Sequence, residues 1–171
     1  PTGISDQLLA LMAAEERIVP YLDIPLQHVS DQVLKWMNRR YGRRDLDELL
    51  EKIRQRLPEC AIRTTLMVGF PGETEGDVAE MLDFLEQWRL DHVGIFTYAD
   101  EEGSPAVLLP DKVAEEVKQE RYERLMERQA AISEERQKRF VGRVEPVLIE
   151  GVSRESELLL EGRTRFQAPD I

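Results

Sequence analysis

The chain has 171 residues, 42% hydrophobic and 33% charged, with a formal net charge of −11 at pH 7, enough for one ordinary domain, or a domain with a small appendage, around a buried core. No run approaches the roughly 18 to 20 apolar residues of a membrane span, no signal peptide opens the chain, and the acidic balance argues against general nucleic-acid binding, which wants Lys and Arg in excess. A single cysteine, Cys60, excludes a disulfide framework and any multi-cysteine zinc or iron–sulfur site made by this chain alone. A soluble, cytoplasmic protein with no membrane partner is expected, and the opening Pro1 in place of Met suggests a piece of something longer.

In chain order, Ser5 is placed to cap a short helix carrying Leu8, Leu9 and Met12, with Ile4 and Leu9 spaced as a hydrophobic staple. Val19 to Leu26 reads as a strand with Pro25 near its end, where a lost donor is tolerated. A helix around Val33, Leu34 and Met37 breaks near Tyr41-Gly42, and a second one sets Leu46, Leu49, Leu50, Ile53 and Leu57 on one stripe before Pro58. Between them Arg39, Arg40, Arg43 and Arg44 form a basic knot with two readings: a solvated helix end, or a site for an anion or an RNA-bearing partner.

Cys60 to Val68 is the next strand, with Ile62, Thr64, Leu66 and Val68 on one face and Ala61, Arg63, Thr65 and Met67 on the other. Thr74 caps a helix through Val78, Met81, Leu82, Leu85 and Trp88, and His92 to Tyr98 is a further strand. After Pro110 a charged helix runs from Asp111 to Phe140 along a sparse seam of Val113, Val117, Leu125, Met126 and Ile132. Val144 to Glu150 and Glu157 to Glu161 then read as short strands around Gly151-Val152-Ser153. The fold class is α/β: about three βα units of a parallel sheet over residues 1–140, the long helix included, and a small β segment over 141–171.

Three strand ends point to one face: Gln27-His28-Val29-Ser30, Gly69-Phe70-Pro71-Gly72-Glu73 and Tyr98 to Pro105. That is where a β/α barrel keeps its site. Gly69 and Gly72 either shape such a site or only supply unusual backbone angles, without a Walker lysine or a dinucleotide fingerprint. Arg63 either lines a polar lumen or pairs with a carboxylate of a neighbouring strand. His28 more often reads as a hydrogen-bonded structural residue than a metal ligand, and Cys60 as a small buried hydrophobe.

Asp23-Ile24-Pro25-Leu26-Gln27-His28-Val29-Ser30-Asp31, Met37-Asn38-Arg39-Arg40-Tyr41 and Arg63-Thr64-Thr65-Leu66-Met67-Val68-Gly69-Phe70-Pro71-Gly72-Glu73-Thr74 resemble the second half of a radical-SAM methylthiotransferase. Phe96-Thr97-Tyr98, Glu101 to Ala106 and Leu109-Pro110-Asp111 continue the resemblance in order. Gln27-His28 and Arg63-Thr64-Thr65 are similar to the RimO type, which modifies an aspartate of a small-subunit ribosomal protein, and Gly162 to Arg165 with Ala168 to Ile171 look like the start of its TRAM domain. The resemblance implies a partial radical-SAM β/α barrel that works with S-adenosylmethionine and [4Fe-4S] clusters, whose ligands this chain lacks, so that the chain alone is inactive and needs the N-terminal domains of the same protein. By the same resemblance Gln27, Arg39, Arg63 and Thr65 meet the polar ends of S-adenosylmethionine, Gly69, Phe70, Gly72 and Glu73 shape its adenosine side, and His28 and Asp100 face the substrate. Two other readings stay open: a tRNA methylthiotransferase, and a non-catalytic half-barrel that binds a partner and self-associates through its exposed edge.

Overall fold

A computed structural model describes residues 3–168, so Pro169, Asp170 and Ile171 of the TRAM-like ending lie outside the described residues. Three parallel strands, Tyr21–Asp23 (β1), Ala61–Val68 (β2) and His92–Thr97 (β3), form a sheet in the order β1-β2-β3. Around it run the helices Asp6–Ala14 (α1), Asp31–Trp36 (α2), Arg43–Arg56 (α3), Glu75–Trp88 (α4) and Glu115–Gln137 (α5). An antiparallel hairpin, Val147–Val152 (β4) and Leu160–Thr164 (β5), follows a 3-10 turn at Lys138–Phe140. Among the described residues no helix is long and apolar enough to cross a membrane.

The alternation along β2 decides how the layers stack. Ile62, Thr64, Leu66 and Val68 are buried, while Arg63, Thr65 and Met67 are half-buried on the other face. Against the first face pack Leu46, Leu50 and Ile53 of α3, Val78, Met81 and Leu85 of α4, and Leu125 and Ile132 of α5, in one core. The helices therefore cover one side of the sheet. Register sets Arg63 beside His92, Thr65 beside Gly94 and Met67 beside Phe96 on the other, open side.

Predicted and observed elements differ where local chemistry intervenes. The strand expected from Val19 to Leu26 pairs regularly only over β1, because Pro25 has no N–H to give the ladder. The buried Thr64 hydroxyl bridges the gap, donating to the Ile24 carbonyl (2.8 Å) and accepting from the Leu26 N–H (3.2 Å). Pairing then resumes, with Gln27 N–H donating to the Thr65 carbonyl (2.9 Å) and Met67 N–H to the Gln27 carbonyl (2.7 Å). Helix α4 starts as expected at Thr74, whose hydroxyl accepts from Asp77 N–H (3.3 Å) while the Asp77 carboxylate accepts from Thr74 N–H (2.7 Å). Helix α5 starts at Glu115 instead of Asp111, which takes a left-handed φ of 58° and accepts the Gly72 N–H at 2.9 Å.

Both hairpin strands end later than their periodicity suggests. A bulge between Ile149 and Gly151 absorbs the expected turn residues Gly151 and Val152 into β4, so the connection falls over residues 153–159. The hairpin meets the sheet at its amino end, where His92 Nε2–H donates to the Phe166 carbonyl (2.8 Å) and Phe140 packs on Phe166 at 5.0 Å.

Candidate functional site at the strand ends

The end of β1 turns through Gln27, a non-glycine residue at φ 70° whose backbone stays hydrogen-bonded to β2 on both sides. Such a conformation needs surrounding structure to hold it. The next residue, His28, is fully buried. Its Nδ1 accepts the Ser30 N–H (3.0 Å), so the proton sits on Nε2, which donates to Glu73 Oε2 at 3.2 Å. Both Glu73 oxygens also accept from Gly69 N–H (2.9 Å), and Oε1 accepts from Arg121 Nη1 of α5 (2.8 Å), which donates as well to the Glu73 carbonyl (3.2 Å).

His28 thus lies in a buried pair, the hydrogen-bonded structural arrangement that is one of its readings, and Glu73 points beneath the turn as a tie between the end of β1, the turn and α5. Phe70 is likewise buried, edge-on to Tyr98 at 5.2 Å. Gly69, at φ 80°, is required: a Cβ there would stand 2.3 Å from Lys118 Cγ of α5. Gly72, at φ 84°, lies against the Trp36 ring. The glycine turn is thus packed shut on its inner side by α2 and α5.

What remains accessible lies on the open face. Thr65 is half-buried there, next to Met67 and the exposed Phe96, while Gln27, half-buried at the end of β1, is bridged to Leu66. Gly94 stands opposite Thr65, where an added Cβ would lie 3.6 Å from Thr65 Cγ2. The neighbours Met67, Gly94 and Phe96 were not singled out from sequence, although a glycine inside a strand signals close approach of another group.

Arg63 donates to Asp23 at 2.8 Å, so of its two sequence readings the cross-strand pair is realised, with both side chains about two-fifths exposed. It sits six residues before Gly69, about 20 Å down the strand at ~3.3 Å per residue. Arg63 and the glycine turn therefore reach the same small ligand only if it extends along β2. Arg39 is exposed near the strand end, where its charge acts on Tyr41, whose hydroxyl donates to the Leu26 carbonyl at 3.1 Å. Burial raises the Tyr41 pKa, and Arg39 works against that shift.

Of the rest of the basic knot, Arg43 and Arg44 open α3 and pair with Asp47 (3.0 Å) and Glu48 (2.7 Å). Asp100 is exposed and accepts from Tyr98 Oη (2.8 Å) and Lys112 Nζ (2.5 Å), contacts that hold its carboxyl below the usual range.

Cys60 is buried at the amino edge of β2, its thiol pushed up to about 11 by burial. That position does not suit a cluster ligand, and among the described residues no group of three His, Cys, Asp or Glu side chains is placed to hold a metal. A cleft of about 880 Å³ lies at the amino ends of the strands between Tyr21, Arg63, His92 and the hairpin. Topology favours the opposite, carboxyl ends, where the turns and the open face converge.

A family model of the radical SAM superfamily matches residues 1–85, a span that ends before Gly94, Phe96 and Asp100. The chain is similar over its full length to proteins named ribosomal protein uS12 methylthiotransferase RimO: 56% identical to that of Desulfotalea psychrophila, 51% to that of Syntrophotalea carbinolica and 44% to that of Protochlamydia amoebophila. It spans 39%, 38% and 36% of the lengths of these relatives. Such identity along all 171 residues, with the family match falling on β1 and β2, shows that the chain belongs to the radical SAM superfamily.

Proposed function

We propose that this chain forms one wall of the S-adenosylmethionine pocket of a methylthiotransferase whose substrate is an aspartate of a small-subunit ribosomal protein. The observation that carries the reading is the uncovered face of the sheet, where Thr65 sits beside Met67 and Phe96, with the left-handed turn of Gln27 at the neighbouring strand end. S-adenosylmethionine has polar ends and an apolar, stackable body, and that face has donors, acceptors and apolar surface in one strip. When bound, the cofactor supplies the radical chemistry that opens an unactivated C–H bond.

The chain's own residues bind and orient. The Gln27 amide and Thr65 hydroxyl offer hydrogen bonds to the amine and ribose groups, and Met67 and Phe96 exclude water from the apolar body. Arg39, exposed at the strand end, is the residue free to close on a carboxylate. Arg63 would join it only by sharing its charge with Asp23. Gly69, Phe70 and Gly72 shape the wall through the turn's backbone. Asp100, on the exposed loop after β3, is available to a substrate chain.

The protein substrate follows from the relatives, which are named for ribosomal protein uS12; nothing comparable supports tRNA, and the net charge of −11 opposes it. In the full-length protein, Thr65→Val and Gln27→Ala should each weaken S-adenosylmethionine binding about tenfold, or about 1.4 kcal/mol, by equilibrium dialysis. Unchanged affinity in both would overturn the pocket, and methylthio transfer to tRNA but not to the ribosomal protein would overturn the substrate.

A further inference from the structure

Beneath the strand ends runs a largely buried polar chain. Arg121 of α5, nearly buried, reaches Glu73; Glu73 holds the Gly69 N–H and the His28 ring; His28 holds the Ser30 N–H; and the Ser30 hydroxyl donates to Asp77, the cap of α4, at 2.5 Å. Three of its links join segments remote in sequence, 48 residues apart for Arg121 and Glu73, 45 for His28 and Glu73 and 47 for Ser30 and Asp77; the bonds of the Gly69 and Ser30 N–H groups are local. Glu73 is its hub, a carboxylate with no exposed side-chain surface that accepts from three different segments. A buried carboxylate stays ionised in such a place only when charge and hydrogen bonds both meet it. Gln27, immediately before His28, stands in the left-handed region and has no side-chain tie of its own among the described contacts. Its direction is set by the backbone on either side. The stem of Lys118, filling the space beside Gly69, presses the same helix on the same turn.

From this geometry we infer that Glu73 and Arg121 are a positioning pair: they touch no ligand, and through Gly69 and His28 they hold the glycine turn and Gln27 in the shape the pocket needs. The inference rests on the S-adenosylmethionine reading above for its consequence, but not for its mechanism. Helix α5, which contributes nothing to the open face, thereby sets the geometry of one wall.

The test uses the full-length protein with Glu73→Gln, which keeps the side chain's size, and Arg121→Met, Arg121→Lys and the double variant, each checked for folding by thermal melting. Amide hydrogen exchange at Gly69 and Ser30 should quicken about tenfold in Glu73→Gln and in Arg121→Met, with little further change when both are combined. S-adenosylmethionine affinity, by equilibrium dialysis, should fall about fivefold to tenfold in the same variants, and Arg121→Lys should recover most of both losses. Unchanged exchange at Gly69 and Ser30 in folded Glu73→Gln overturns the pair, as does Arg121→Lys behaving like Arg121→Met. Faster exchange with cofactor affinity intact, in these variants and in Gln27→Ala, supports the pair and overturns the pocket reading instead.

Discussion

Two buried carboxylates hold opposite ends of the same sheet, and arginines of the α5 region grip both, yet the two grips are built differently. At the amino end Asp91 accepts from Ile62 N–H (3.0 Å), from Arg136 (2.7 Å) and Arg139 (2.7 Å), with Arg54 at 3.4 Å. Burial alone would raise its pKa, but the Ile62 N–H and the guanidiniums of Arg136 and Arg139 outweigh that and hold it below the usual carboxylate range. At the carboxyl end Glu73 has one guanidinium, that of Arg121, together with the His28 ring and a backbone N–H. The Asp91 arginines keep about a fifth to a quarter of their side chains exposed, whereas Glu73 has none. One end is held redundantly by cations that can retreat to water; the other traps a charge that depends on a single partner.

The comparison breaks if the arginines are interchangeable. Arg121→Met should cost about 3–5 kcal/mol in urea denaturation, because it strands a buried charge. Asp91→Ala should cost somewhat less, about 2–4 kcal/mol, since the freed guanidiniums can reach solvent and only the Ile62 N–H stays buried without its acceptor. Thr64→Val, which removes the hydroxyl that bridges the ladder at Pro25, should cost about 1–2 kcal/mol. Arg136→Met should cost about 1 kcal/mol, with Arg139 and Arg54 remaining; a loss equal to that of Arg121→Met would abolish the distinction. Arg44→Ala, at a solvent-exposed pair with Glu48, should leave Tm unchanged within error.

Acid sharpens the same contrast. Because the folded pKa of Asp91 is depressed, its contribution is fully present above the ordinary value of 3.8 and is lost as pH falls through the lower folded value. Asp91→Asn should therefore lower stability at neutral pH and flatten its decline below pH 3.8, measured as Tm against pH.

What could be read from sequence was whatever repeats locally. The stripes of α3 and α4, the Thr74 cap and the two faces of β2 follow from spacing within a few residues, and all stand as expected. The inward turn of Glu73 and the burial of His28 depend on partners more than forty residues away, which no local pattern announces. Arg121 and Asp91 look, in sequence, like ordinary charges on an acidic chain. The hairpin strands were displaced because a bulge lets Gly151 continue a strand that composition would end there. Of the candidate site, Thr65 lies on the open face, whereas Arg63 sits far down the strand and is engaged with Asp23.

Cys60 gives this architecture a clock of its own. As the only thiol in the 171 residues, wholly enclosed and protonated at neutral pH, it reacts with alkylating reagents only when the amino edge of β2 comes open. Its neighbourhood is the Asp91 end, since Arg54 donates both to the Cys60 carbonyl (2.6 Å) and to Asp91. The pace of alkylation in native buffer thus follows the fraction of time that end stands open, without any engineered probe.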